Sequence, residues 1–346
     1  MSSVSTAAPP GTADASAPDG EAGRITRQLT DFLAGKPDGA GRVTNVRRAG
    51  SGRSRDNWLF DLVGPAGTEE LILRTDPDGG LIDTDRAVEF EVLRGLAGSG
   101  LPTPTARWLD TTGEPFGRPG LIMGRLPGRC DYRVLRDPAR PTAEKRELAA
   151  AFCDLLAAVH GVDHRALGLD RTLPDPGPAA ARAELDRWTA VLRQDQLEPW
   201  PELDYAAAVL AEKAPECAAR VLVHADFKPG NILVDAGRVS ALLDWELAHL
   251  GDPLEDLGWV TQPLRSAEHT IENDWTAEHL IAHYEQATGI TTDRAALAWW
   301  VAFSSYKTAV MQVSGLRAFL EGRADEPYRP TRRVLATLLD ATGEPA

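Results

Sequence analysis

Two short stretches carry residue types that can do chemistry together: His224-Ala225-Asp226-Phe227-Lys228-Pro229-Gly230-Asn231, and twelve residues beyond its last position, Leu243-Asp244-Trp245-Glu246. Asp226 can receive the proton of an attacking hydroxyl. Asn231 and Asp244 offer oxygen ligands of the kind Mg²⁺ takes, a hard cation held through one or two carboxylates and the oxygens of phosphates. A positioned carboxylate base beside such ligands is what phosphoryl transfer from a nucleoside triphosphate requires.

The surrounding pattern supplies elements able to bring these groups together. Residues 221–223, Val-Leu-Val, read as a short strand that ends at the polar His224. Residues 231–234 read as a second strand, 235–238 as a turn-rich patch and 239–243 as the returning strand. Such a hairpin places Asn231, at the start of one strand, next to Asp244, at the end of its partner. Two ligands far apart in sequence then meet at one edge of a small sheet.

The motif His-x-Asp-x-Lys-x-x-Asn resembles the catalytic loop of the protein-kinase-like fold, with Asp244-Trp245-Glu246 in the place of its metal-binding element. Together with Leu250-Gly251-Asp252-Pro253-Leu254-Glu255-Asp256-Leu257-Gly258-Trp259, it is similar to the aminoglycoside phosphotransferase family. That group extends to choline-type and macrolide kinases and to kinase-like modules found with acyl-CoA dehydrogenases. The resemblance is most specific over residues 221–259 and looser over 43–128. It implies an α+β, bilobal protein-kinase-like fold, with an N-terminal antiparallel sheet carrying one helix and a larger, mainly helical C-terminal lobe. It implies ATP as co-substrate, Mg²⁺ on Asn231 and Asp244, Asp226 as base, Lys228 at the γ-phosphate and His224 bracing the loop. Asp256 would hold the loop from beneath, and Trp245 and Glu246 would border the substrate. Only a dozen positions separate Asp244 from Asp256, which leaves no room for a long activation segment, so a hydroxylated small molecule is the expected acceptor.

Upstream, residues 43–48, 58–63 and 70–75 read as three strands. The turn between the first two contains Gly50, Ser51, Gly52 and Ser54, small and hydroxyl residues whose amides can approach phosphates, although Arg55 stands where a third glycine would fall. Arg74 ends the third strand where the resembled fold carries a phosphate-gripping lysine; it keeps the charge in a planar, bulkier fork. A helix over residues 85–96 should supply its acidic partner. Glu89 shares the inward stripe with Val92, Leu93 and Leu96, whereas Glu91 points about 200° away around the helix, so Glu89 is the expected partner. By analogy, the backbone of Met123, Gly124 and Arg125 at the Gly- and Pro-rich exit from the sheet would meet adenine.

The expected organisation is a disordered tail over residues 1–23, a nucleotide-clamping lobe over 24–126 and a helical lobe over 127–346. Residues 148–159 and 295–320 show helical spacing, the latter with Trp299, Trp300, Phe303 and Tyr306 as core. His279 and His283 are four apart, but no third ligand accompanies them, and a solvated helix face is expected. Three cysteines at unrelated spacings suit a reducing cytoplasm better than a disulfide framework. A net charge of −14 argues against general affinity for nucleic acid or anionic lipid, and no apolar run approaches the roughly 18 residues of a membrane span. Five carboxylates and no Lys or Arg lie between Asp244 and Asp256. They would suit a cationic acceptor, yet metal and fold support also account for them. A kinase acting on a hydroxyacyl-CoA, a non-catalytic nucleotide-binding protein of kinase-like shape and a metal-dependent hydrolase are the alternatives.

Overall fold

The computed structural model describes residues 20–49, 56–75, 86–324 and 326–343. It opens with helix α1 (Glu21–Ala34) and three strands, β1 (Arg42–Arg48), β2 (Asp56–Gly64) and β3 (Gly67–Thr75). Helix α2 (Arg86–Leu96) precedes β4 (Ala106–Asp110) and β5 (Gly120–Gly124). The five strands form one antiparallel sheet in the order β1-β2-β3-β5-β4.

The period of two along each strand gives this sheet two distinct faces. Trp58, Phe60 and Leu62 of β2, Leu71 and Leu73 of β3 and Ile122 of β5 bury one face against Ile25, Leu29 and Leu33 of α1. The opposite parity turns Ile72 and Arg74 of β3, with Leu121 and Met123 of β5, toward α2. There Val92, Leu93 and Leu96 join the larger core of the molecule. The expected tail runs three residues too far, since Glu21 already opens α1. Residues 1–19 lie outside the described residues.

Beyond β5 the chain is mostly helical: α3 (Thr142–His160), α4 (Ala180–Asp195) and α5 (Pro201–Glu212) come first. Three short strands, β6 (Val221–Val223), β7 (Ile232–Asp235) and β8 (Arg238–Leu242), precede β9 (His249–Gly251). Five helices follow: α6 (Pro253–Thr261), α7 (Ser266–His269), α8 (Ala277–Thr288), α9 (Arg294–Leu320) and α10 (Arg332–Thr342). Helix α9 is buried around most of its circumference because α4, α5, α6 and α10 all pack on it. It packs against α6 at Gly258, where an added Cβ would sit 2.7 Å from the Trp300 carbonyl carbon, so only glycine fits. Sheet and helices segregated in this way define an α+β architecture. No helix among the described residues is long and apolar enough to cross a membrane.

Candidate active site

Strand β6 delivers the loop of residues 224–231, and the β7–β8 hairpin pairs Ile232 with Leu242. The register continues one step further: the Leu243 amide donates to the Asn231 carbonyl at 2.8 Å, which sets Asn231 beside the segment that carries Asp244. Asp226 is buried. Its Oδ2 accepts from Lys228 Nζ at 2.5 Å and from Asn231 Nδ2 at 3.0 Å. Its Oδ1 is equally buried and has no hydrogen-bond partner. A carboxylate oxygen left unpaired away from water is costly unless something arrives to use it.

Arg74 joins the two halves of the site. One guanidinium nitrogen donates to Glu89 Oε1 at 2.8 Å and the other to Asp244 Oδ1 at 2.8 Å. Arg86, also buried and three residues before Glu89, donates to Glu89's second oxygen. Glu89 thus places its buried charge between two cations, whereas the Glu91 side chain is 41% exposed and pairs with Arg94. Asn231 Nδ2 also donates to the Asp226 carbonyl at 3.0 Å, which turns its amide oxygen away from Asp226. Asn231 and Asp244 together form an oxygen-only donor set, the chemistry that suits Mg²⁺.

Beneath the loop lies a shell of fully buried charge. Asp256 accepts the His224 and Ala225 amides, both at 2.8 Å, and meets His160 Nε2 at 3.2 Å. His160 Nδ1 in turn lies 2.6 Å from the Tyr284 hydroxyl. Burial works against the charged form of Asp256, yet the hydrogen bond and charge of His160, with His224, hold its pKa below the usual carboxylate range. His224 is not a base here. Its ring is buried, with Nε2 2.9 Å from the Leu243 carbonyl and Nδ1 accepting the Asp226 amide at 3.3 Å, so it laces the loop to the Asp244 segment.

A second cluster sits one layer deeper and contains Glu184, His249 and Glu255, whose ligand atoms all lie within 4.8 Å of one another. Two cations already serve these acids: Arg187 binds Glu184 at 2.8 Å and Lys307 lies 3.4 Å from Glu255. Burial alone would lower the His249 pKa, but Glu184 and then Glu255 outweigh it and raise the ring to about 9. With Arg187, Lys307 and His249 all within ion-pair distance of the two carboxylates, the group forms an ion-pair network. Glu184, Arg187 and His249, with Glu246 and Leu247, line a cleft of about 460 Å³ bounded by α2, α4 and β9.

Several expectations need correction. Trp245 does not face a substrate: it is wholly buried, its ring N–H donates to the Leu242 carbonyl at 3.1 Å, and it packs on His224. Glu246, its neighbour, does line the cleft. The Gly124 and Arg125 amides are committed to the Thr105 and Glu70 carbonyls, both at 2.9 Å, and are therefore not donors for a base. Met123 is a paired strand residue, opposite Ile72 and Ala106. Gly50, Ser51, Gly52 and Ser54 lie outside the described residues. His279 caps the N-terminus of α8 with Thr276, and His283 pairs with Asp154 at 2.7 Å.

Sequence reasoning missed Arg86 and Lys307. Arg86 carried a signal in its spacing of three from Glu89 on the same helix. Lys307 carried one as the single cation among Trp300, Phe303, Tyr306 and Val310, where an unpaired charge is untenable.

Comparison with known proteins bears on the family and the fold. Residues 45–300 match the model of the phosphotransferase enzyme family. Acyl-CoA dehydrogenase family member 11 of Gallus gallus is 28% identical over 323 residues, covering 87% of this chain but 40% of that protein. The chain spans 40% or less of the length of each such relative compared from chicken, rat and mouse. Among solved structures, a candidate aminoglycoside phosphotransferase from Ralstonia eutropha superposes with a TM-score of 0.66 at 25% identity, covering 92% of this chain and 94% of that one. An aminoglycoside phosphotransferase in ternary complex with AMP-PNP and hygromycin B shares the fold at a TM-score of 0.57 and 17% identity, covering 92% and 97%. With a family model matched over most of its length, on a bilobal kinase-like architecture, this chain belongs to the phosphotransferase enzyme family.

Proposed function

We propose that this small-molecule kinase transfers the γ-phosphoryl group of Mg-ATP to a hydroxyl of its acceptor, with Asp226 as general base. The observation that carries the reading is the state of Asp226. Lys228 and Asn231 hold one oxygen, and the other, Oδ1, is buried and unclaimed, ready to accept an acceptor's O–H. In-line transfer needs little else from the protein than positioning and charge compensation. Arg74, braced by Glu89, would meet the phosphates of a nucleotide bound between the lobes, and Lys228 would turn from Asp226 toward the γ-phosphoryl group. Asn231 and Asp244 would hold Mg²⁺, which when bound supplies neutralisation of phosphate charge.

An acyl acceptor with an anionic group is the second reading, and a specific observation favours it over a polycation. Four of the five carboxylates between Asp244 and Asp256 are spent internally: Asp244 on Arg74, Asp252 on the α6 N-terminus, Glu255 on His249 and Lys307, Asp256 on the loop amides. Beside Asp226, by contrast, Lys228 lies at 2.5 Å, and Arg265 lies 3.6 Å from Glu268. Burial raises the Glu268 pKa above the usual carboxylate range, while Arg265, Lys228 and Arg136 pull against it and Asp226 adds to it. The family names of the acyl-CoA dehydrogenase relatives support a hydroxyacyl thioester.

A screen of hydroxylated acceptors, including aminoglycosides and hydroxyacyl-CoA thioesters, scored by ADP release and product mass, tests both readings. Asp226→Asn should lower kcat about 10²–10⁴-fold with nucleotide affinity retained. Unchanged transfer by this variant refutes the assigned base.

A further inference from the structure

Lys307 lies in the middle of α9, far in sequence from the catalytic loop, and is 1% exposed. Its ammonium is held between the Trp188 and Trp259 rings, 5.2 and 5.0 Å from their centroids, and lies 3.4 Å from Glu255 Oε1. Its shortest hydrogen bond goes elsewhere: Nζ donates to the carbonyl of Ala225 at 2.7 Å. Ala225 has φ of +65°, a conformation that residues with a Cβ take only when their surroundings impose it.

The peptide unit joining Ala225 to Asp226 is therefore gripped at both ends. Its carbonyl is taken by Lys307, and its N–H by His224 Nδ1 at 3.3 Å. The preceding unit is held through the Ala225 amide on Asp256. A peptide plane fixed at C=O and N–H fixes the direction in which the next Cα presents its side chain, here Asp226. We infer that Lys307 is a positioning residue for Asp226: by clamping the Ala225 carbonyl it stops the 225–226 peptide from rotating and so holds the Asp226 carboxylate on line. The inference rests on the reading of Asp226 as base. It differs from the plainer role of neutralising Glu255, and a pair of substitutions separates the two.

Lys307→Met removes the clamp and one of the two cations beside Glu255, leaving His249; Lys307→Met/Glu255→Gln removes the clamp together with the carboxylate charge that Lys307 faces. The test uses the full chain, with thermal melting, site-resolved amide exchange over residues 224–231 and phosphotransfer kinetics on an acceptor found by the screen. The double variant is expected to regain the melting temperature that the single one loses. Its Ala225 and Asp226 amides should still exchange about tenfold faster than in the parent. Its kcat should stay about 10–100-fold low with KM for the nucleotide unchanged. Parental exchange at both amides, or parental kcat, in the double variant overturns the clamp and leaves Lys307 as a counter-charge alone. Glu255→Gln with Lys307 retained should keep the loop protected, and loss of protection there would equally overturn it. If Asp226→Asn leaves transfer unchanged, the base assignment fails on its own, and the exchange measurement still decides whether Lys307 holds the loop.

Discussion

Two ionic clusters flank the loop of residues 224–231, and they differ in access. The upper one, Glu89–Arg74–Asp244, is reached by solvent, with 10% of the Arg74 side chain and 22% of the Asp244 side chain exposed. The lower one, Lys307–Glu255 with Asp256–His160 beside it, is sealed: Lys307 and Glu255 side chains are 1% and 2% exposed, and Asp256 and His160 are at 0%, while His249 at its margin is 18% exposed and lines the cleft. A charge pair that a ligand can reach is able to exchange partners during turnover. One enclosed by tryptophans and helices is not, because each ion would have to leave its partner without water to replace it. The upper cluster is thus suited to rearrangement and the lower to support.

Substitutions that break the contrast should affect different observables. Asp256→Ala strikes the lower cluster hardest, leaving two loop amides and His160 without their acceptor, and should cost about 3–5 kcal/mol of unfolding free energy in denaturant titration. Glu89→Gln, in the upper cluster, leaves Arg74 and Arg86 under-compensated. It should cost about 2–3 kcal/mol in stability and raise KM for the nucleotide, the kinetic effect marking it as the cluster that meets ligand.

Protonation sharpens the same comparison. The His249 pKa is raised to about 9 against an ordinary 6.5, so its stabilisation is complete below pH 6.5 and is lost as pH rises toward 9. Stability should fall by roughly 3 kcal/mol across that window, and His249→Gln should flatten this alkaline limb. His269 behaves oppositely. Burial, then Arg265, push its pKa down to about 3, so the unfolded chain takes up a proton near pH 6.5 that the folded chain refuses, and stability falls as pH drops below that value. Melting curves across pH should therefore peak near 6.5 in the parent and lose only their alkaline slope in the variant. The smallest effect belongs to the exposed neighbour: Glu91→Ala should stay within about 0.5 kcal/mol and leave the nucleotide KM alone, in contrast to Glu89.

Local pattern made much of this readable in advance. The strands around the loop fall within a residue of their expected limits because β-branched runs and turn residues mark them, and the inward stripe of α2 singles out Glu89 over Glu91. What escaped depends on contacts between distant segments. Helix α1 has an apolar stripe, but its start was obscured by the Ser- and Ala-rich residues ahead of it. Trp245 looked available to a ligand from its position beside Asp244. Only the packing of His224 and the Leu242 carbonyl shows it to be core. Lys307 lies 82 positions from Ala225, a pairing that no periodicity encodes.

Gly258 gives α6 a further significance. Asp252, Glu255, Asp256 and Gly258 occupy the first two turns of that helix, and at Gly258 its backbone rests against Trp300 with no room for a methyl group. The interhelical gap at this point acts as a shim of zero thickness. It sets the height at which Asp256 meets the loop amides and Glu255 meets Lys307, so one added carbon at position 258 would lift both carboxylates together and disturb a loop that it never touches.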